Sequence, residues 1–328
     1  MAVPTNTRLT YGDIGIREEI LDKIYRITPW VTPTISMIGR SKIDSTFPEW
    51  QTEALTAVDL NNAVLEGDDA SNDVISPTVR VGNRTQLSDK VISVSSTDDA
   101  VKKAGKSTET GHQLARKGLE LRRDMEGIVC NNQASVAGAD AVAPKIGGLP
   151  AWLTTNVSRG ATGANGGYAS GVVAAATDGT LRALSMGYLD SVLELEYTNG
   201  GTPEYVMMAP GVKRRLSAFL FNATTVARIQ TDTPQGEAAK AVGAVDAYET
   251  DWGPVMMVPN RLQRPRDVFC LDPSLLEIGE LQPFKEEALA KTGHSNRRML
   301  SIQWTLKVFN EAAQGIIADI DSGLAVTA

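Results

Sequence analysis

Residues 49–73 read EWQTEALTAVDLNNAVLEGDDASND, and they belong to the least self-sufficient stretch of the chain. Eight acidic residues fall in this part of the sequence: Asp44, Glu49, Glu53, Asp59, Glu66, Asp68, Asp69 and Asp73. No Lys or Arg follows Lys42 until Arg80. From Val79 to Ser95, short β-leaning runs appear at Val79 and Val81, then at Val91, Ile92 and Val94. The pattern predicts a long two-stranded excursion over 43–98 with an irregular acidic tip near Glu66–Asp73. A two-stranded ribbon is only marginally stable alone in water. Such an arm is either a solvated acidic loop or a segment ordered by a neighbouring subunit.

The bulk properties narrow the setting. A chain of 328 residues with 42% hydrophobic and 22% charged residues can bury a sizeable core, as two lobes or one elaborate domain. The net charge is −7 and the sequence pI about 5.1. Proteins that grip nucleic acid through its phosphates carry clustered Lys and Arg. Here Arg8, Arg17, Lys23, Arg26 and Arg40 are offset by Asp13, Glu18, Glu19 and Asp22. Two cysteines, Cys130 and Cys270, make neither a disulfide framework nor a CxxC pair, which fits a reducing compartment. The opening residues lack the pattern of a signal peptide. No apolar run approaches the ~18 residues needed to span a bilayer, so no membrane is expected.

Upstream of the excursion, Ile16, Ile20, Ile24 and Ile27 recur at helical spacing, and Pro29 and Pro33 are expected to end that helix in an extended arm. Downstream, Leu114, Leu121, Met125 and Ile128 form one stripe of a long helix whose remaining positions are polar, Glu126 among them. Thr110-x-x-Gln113 offers a capping box and Asn131-Asn132 a stop. Residues 133–178 read as a Gly/Ala/Asn-rich loop with one ordered piece at Leu149–Trp152. A second helix follows Asp178, with Leu181, Leu184, Tyr188, Val192 and Leu195 on one face and Gly200-Gly201 as its end. Tyr205–Met208 reads as a short buried strand, and Pro210 opens a third helix bearing Val212, Leu216, Phe219 and Leu220. The remainder is β-rich: Val255–Val258, Val268–Leu271, Leu275–Ile278, then a clear alternation of Leu300, Ile302, Trp304, Leu306 and Val308 with polar residues. Ile316–Ile320 closes the chain with another strand. Fold class is therefore α+β.

Catalytic motifs are few. Ala100-x-x-x-x-Gly105-Lys106-Ser107 satisfies a relaxed phosphate-loop pattern, and Val268–Leu271 followed by Asp272 could act as its Mg²⁺-binding partner. Yet Val101, Lys102, Lys103 and Ala104 are helix formers where glycines should recur, and no prompt βαβ return follows. The stretch reads as the entrance to a helix. His112 and His294 stand among polar residues, and no GxSxG, HExxH or EF-hand pattern is present. Asp68, Asp69 and Asp73 match no metal-binding loop. No catalytic residue, cofactor or metal is expected. Trp50 and Trp304 read as packing anchors.

Five segments carry a resemblance to a known family: Tyr11-Gly-Asp-Ile-Gly-Ile-Arg-Glu-Glu-Ile20 through Ile27-Thr-Pro29, Phe47-Pro-Glu-Trp-Gln51, Val64-Leu-Glu-Gly-Asp-Asp-Ala70, Arg80-Val-Gly-Asn-Arg-Thr-Gln86 and Glu120-Leu-Arg-Arg-Asp-Met-Glu126. Together with the order of elements, they resemble the major capsid proteins of tailed phages with the Hong Kong 97-type (Johnson) fold. The landmarks cover most of the first 130 residues. After that the likeness is one of pattern, at Tyr205–Arg215 and in the Trp304-to-Ile320 strand pair.

The resemblance implies an N-terminal arm (1–42), an extended β-hairpin loop (43–98) overlying a neighbour, and a spine helix opening a peripheral domain (99–178). An axial domain (179–278) follows, then return strands of the peripheral domain (279–310) and a last axial strand (311–328). It further implies hexamers and pentamers tiling a shell, filled with double-stranded DNA without sequence-specific contact. The location would be the virion, after assembly in the host cytoplasm. Separate portal and decoration proteins are expected partners; because the arm starts almost at Met1, any scaffolding is expected to come from a separate protein as well. An encapsulin-like compartment shell is the alternative, a nucleotide-binding enzyme the third. The expected inter-subunit residues are Glu49, Trp50, Glu53, Asp59, Leu65, Glu66, Asp68 and Asp69 on the loop. Arg116, Arg122, Arg123, Arg297 and Arg298 are their expected basic counterparts.

Overall fold

A computed structural model describes residues 24, 26–67, 69, 72–73, 75–222, 246–291 and 293–327. A short helix α1 (Pro33–Met37) and strand β1 (Gly39–Lys42) lead into a hairpin stem, β2 (Glu49–Thr52) and β3 (Val79–Gly82). Strand β4 (Gln86–Ser95), helix α2 (Ser96–Ala100) and the long helix α3 (Glu109–Val129) follow. Next come α4 (Leu149–Trp152), β5 (Asn156–Ser158), the hairpin β6 (Gly167–Ala169) and β7 (Val172–Ala174), α5 (Met186–Thr198), β8 (Tyr205–Met208) and α6 (Pro210–Asn222). The last part holds β9 (Ala247–Thr250), β10 (Gly253–Pro259), β11 (Val268–Leu271), β12 (Leu276–Ala288), β13 (Ser295–Val308) and β14 (Gly315–Ile317).

The period-2 run becomes β13, the axis of a four-stranded sheet ordered β1-β12-β13-β4. β12 and β4 flank it antiparallel, and Ile302, Trp304, Leu306 and Val308 point inward and are buried. Helix α3 lies against this sheet through Leu121 and Met125. A second sheet of six strands runs β5-β14-β11-β8-β10-β9. Its central strands are apolar at successive positions, as befits a sheet covered on both faces. Met207, Phe269, Leu271 and Ile316 face a core shared with α3, α4 and the four-stranded sheet. Val206, Met208, Val268, Cys270 and Ile317 face a second core with Leu189, Val192 and Leu193 of α5 and Val212 and Leu216 of α6.

Several expectations shift in register. The helix expected over 16–27 lies mostly outside the described residues, and Ile24, Arg26 and Ile27 are not helical. Pro33 opens α1 where an extended arm was expected. Proline suits a first helical turn, and the Glu126 carboxyl accepts the next two amides, Thr34 N and Ile35 N, at 2.9 Å each. The cap of α3 is Thr108, whose Oγ1 accepts from Gly111 N at 3.3 Å, rather than Thr110. Gln113 instead donates to the Glu109 side chain at 2.7 Å. Strand β4 belongs to the four-stranded sheet, so only residues 49–82 form the protruding hairpin.

The second helix starts at Met186, because residues 182–185 run extended beside the chain's end. Arg182 N donates to Asp319 O at 2.7 Å, and Thr327 N donates to Leu184 O at 2.9 Å. Its buried face is accordingly Leu189, Val192, Leu193 and Glu196, while Leu181 and Leu195 stay outside. The last strand ends at Ile317, and Asp319 adopts a left-handed φ of 66°. Its buried carboxylate accepts Gly160 N (3.0 Å), Gly179 N (2.9 Å) and the Arg266 guanidinium (2.6 Å), which over-determines that backbone and pins the glycine-rich loop.

Beside this network Asp267 is almost fully buried, with Arg264 Nη1 at 3.3 Å from its Oδ2 but outside hydrogen-bond geometry. Burial pushes its carboxyl up to about 6, against the pull of Arg264 and with help from Asp178. A folded value above the ordinary 3.8 means a stability contribution present in full below 3.8 and lost as pH rises through about 6. Asp267→Asn should therefore match the wild type at pH 4 and exceed it by about 1–3 kcal/mol at pH 7. Denaturant unfolding of the free subunit at the two pH values checks this; equal gaps would mean that Asp267 titrates normally.

Candidate assembly surface

The hairpin stem is fastened at its base and bare at its tip. Asn83, fully buried, donates to Leu306 O (2.9 Å) and Gly147 O (3.2 Å) and accepts from Gly147 N (2.9 Å). Gly82 sits so close to Pro48 that an added Cβ would lie 2.8 Å from its carbonyl oxygen, which explains why glycine stands there. Trp50 packs on Trp152 (centroids 5.8 Å apart) and edge-on to Phe309 (6.1 Å), and Trp152 stacks in turn on Tyr168 (5.7 Å). Arg84 lies over the Phe47 ring at 4.1 Å. Trp50, read from the sequence both as a packing anchor and as a contact to a neighbour, is seated on its own subunit's aromatic rings at the base of the stem.

Between Thr52 and Val79 none of the described residues belongs to a helix or strand. Leu55 and Ile75 are 95% and 92% exposed, and Val58, Leu60, Val64 and Leu65 are nearly as bare. Glu53, Asp59, Glu66 and Asp69 are also exposed, Glu49 pairs with Arg80 at 3.3 Å, and Asp68 lies outside the described residues. Burying an aliphatic side chain of this size is worth about 1.5–3 kcal/mol. A loop that leaves six of them in water foregoes that stabilisation within its own subunit. Sequence reasoning named only Leu65 among the six; the others carry no helical or strand period that would mark them.

The basic counterparts do not form one patch. Arg116 and Arg123 of α3, with His112 and Leu119, line a groove of about 460 Å³ whose other wall is Ile24, Arg26, Ile27 and Trp30. Arg116 is already paired with Glu120 at 3.1 Å, and Lys117 bonds the same carboxyl and holds it below its ordinary range. Arg122 points elsewhere, over Phe284 at 5.8 Å. Arg297 is half-buried in β13, and Arg298 pairs with Glu286 on β12.

The relaxed phosphate-loop segment is filled by its own side chains. Lys103 and Lys106 both pair with Glu109, and these hydrogen bonds, Lys106 first, bring its carboxyl down to about 2. Asp99 accepts Glu109 N (2.9 Å) and Thr110 N (3.1 Å), occupying the helix N-terminus where a phosphate would sit. Asp272, its imagined partner, caps a turn through Ser274 N at 3.0 Å. Among the described residues no group of three or more His, Cys, Asp or Glu could hold a metal ion, and no helix is long and apolar enough to cross a membrane.

Known proteins share this mixed helix–strand body. The capsid asymmetric unit of Cyanophage A-1(L) contains a chain that superposes with a TM-score of 0.57 at 14% identity, over 93% of this chain and 97% of that one. The SrpI encapsulin of Synechococcus elongatus superposes with a TM-score of 0.55 at 10% identity, over 95% of both chains. At these identities the likeness is one of fold: the chain has the Hong Kong 97-type capsid fold. A major capsid protein of Escherichia phage Phieco32 is 37% identical over 182 residues, 53% of this chain. The match spans about half that relative's length, 51%. The family model of the SU10 major capsid protein matches residues 3–321, and the chain belongs to that family.

The aromatic seat yields its own test. Trp50→Ala should speed amide exchange in β2 and β3 about tenfold or more while leaving β13 unchanged. Unchanged exchange in the stem would show that the seat does not hold it.

Proposed function

We propose that this chain is the major capsid protein that self-assembles, as hexamers and pentamers, into the DNA-containing head of a tailed bacteriophage. The observation that carries the reading is the loop over 53–78, where six aliphatic side chains stay in water beside a run of acidic ones. A second copy is its natural cover. The groove between α3 and residues 24–30 combines apolar Ile24, Ile27, Trp30 and Leu119 with Arg26, Arg116 and Arg123, which complements an acidic, aliphatic segment. Exposed ion pairs are worth about 0–1 kcal/mol each, so charge sets register and apolar burial supplies affinity. Symmetry then repeats the contact around every capsomer.

In this reading α3 is the spine helix. The four-stranded sheet forms the peripheral domain, and the six-stranded sheet with α5 and α6 forms the axial domain. Arg122, Arg297 and Arg298 are further contact candidates at the outer reach of β12 and β13. The chain takes no part in catalysis and needs no cofactor. Separate scaffolding, portal and decoration proteins complete the head, which assembles in the host cytoplasm. A net charge of −7 suits a shell that confines DNA without gripping it. The second reading, an encapsulin-like compartment, rests on the shared fold of the SrpI shell; DNA rather than protein inside native particles separates the two.

Deleting residues 60–75 should leave the thermal unfolding of the free subunit nearly unchanged and abolish particle formation under electron microscopy. Normal particles from the deleted chain would end the reading.

A further inference from the structure

Glu126 lies in the last turn of α3, which ends at Val129, and it is fully buried. Its Oε1 accepts Thr34 N (2.9 Å), Thr34 Oγ1 (2.5 Å) and Asn260 Nδ2 (2.6 Å), and its Oε2 accepts Ile35 N (2.9 Å). These four donors come from two separate parts of the fold. Thr34 and Ile35 belong to α1, just after the segment that walls the groove. Asn260 directly follows β10 of the six-stranded sheet and is itself fixed, its N donating to Met208 O and its Oδ1 accepting from Leu262 N, each at 2.9 Å. Cys130 and Met207 lie against the site, with the Cys130 sulfur 3.4 Å from Thr34 Oγ1 and the Met207 sulfur 3.2 Å from it.

We propose that Glu126 is a positioning residue for assembly: its carboxyl bolts the arm and α3 to the six-stranded sheet at one fixed angle, and that angle sets the curvature of the shell. The inference rests on the capsid reading and deepens it. Hydrogen bonds buried this way are directional and costly to leave unmade, so the joint has one satisfied geometry. An apolar contact in the same place would tolerate sliding. The distance along the helix supplies the amplification. At 1.5 Å per residue, the start of α3 at Glu109 stands roughly 25 Å from Glu126. A tilt of about 5° at the joint therefore displaces that end by about 2 Å, enough to break close-packed contacts. His112, Arg116, Leu119 and Arg123 lie on this span, and Ile24 to Trp30 hang from the same joint through α1. Glu126 thus places both walls of the groove relative to the second lobe. A closed shell requires every copy to present that groove at the same angle.

Two variants of the full chain test this. Glu126→Gln keeps the shape but turns one acceptor into a donor facing another donor; Asn260→Ala removes the tie to the six-stranded sheet, along with the acceptor for Leu262 N, and leaves the amides of Thr34 and Ile35 bonded. Amide exchange in the free subunit is expected to rise at least tenfold over residues 34–37 in Glu126→Gln, and to stay at the wild-type rate there in Asn260→Ala. Under electron microscopy both should give particles whose spread of diameters is at least twice that of the wild type, together with open sheets. Wild-type diameters from either folded variant would overturn the proposal, whatever the exchange shows, because the joint would then be structural and nothing more. Should Glu126→Gln prove insoluble, Asn260→Ala decides alone. A wild-type chain that forms no particles would sink the capsid reading itself, an outcome visible before either variant is examined.

Discussion

A sheet buried on both faces is the constraint around which this molecule is arranged. Strands β8 and β11 sit at the middle of the six-stranded sheet, and both faces are buried along all of β11 and along β8 from Val206 to Met208. One face closes a core with α5 and α6; the other contributes Met207, Phe269 and Leu271 to the core that also holds Trp304 and Leu306 of the four-stranded sheet. The two lobes are therefore not beads on a linker. They share side chains at native packing density, so a displacement of one lobe has to be absorbed by the other.

The same economy explains where the protein leaves surface unsatisfied. The hairpin stem is held by Asn83, Gly82 and the Trp50–Trp152–Tyr168 stack, all of which consume stabilisation from the body. Its tip consumes none, with Leu55, Leu60 and Ile75 in water. A monomeric protein would be expected to bury or replace such residues, since exposed aliphatic clusters invite association. In the proposed capsid reading association is the function, and the acidic residues interleaved with the aliphatic ones would keep the free loop soluble until a complementary surface covers it.

How much of this was legible beforehand depended on whether the signal was local. The alternation from Leu300 to Val308, the run Tyr205–Met208 and the proline at 210 each announce their element, because period and proline geometry act within a few residues. The acidic run gave the excursion and its hairpin, though β4 was assigned to it when its real partner, β13, lies some two hundred residues away. The face of α5 was misjudged for a similar reason: residues 182–185 are drawn into an extended pairing with 319–327, which delays the helix and rotates its buried stripe onto Leu189 and Leu193. Of the site, Leu65 and the acidic residues of the loop were visible as composition. The seat beneath Trp50 was not, since Trp152, Tyr168 and Phe309 are far apart in sequence and meet only in the fold.

Glu126 is the sharpest case of a residue whose sequence context points the wrong way. It follows Arg122, Arg123 and Asp124 on a helix with many charges, and the surface is where such a residue normally belongs. It is buried because Pro33 starts a helix directly above it, and that helix needs acceptors for its first amides just where Asn260 needs one too. A single carboxyl meets all of these needs, and no apolar side chain could. The residue that looks most replaceable by its neighbours is thus the one whose replacement would leave donors on α1 and beside β10 unpaired. In a subunit whose two lobes already share a core, that joint is where orientation, rather than stability alone, is decided.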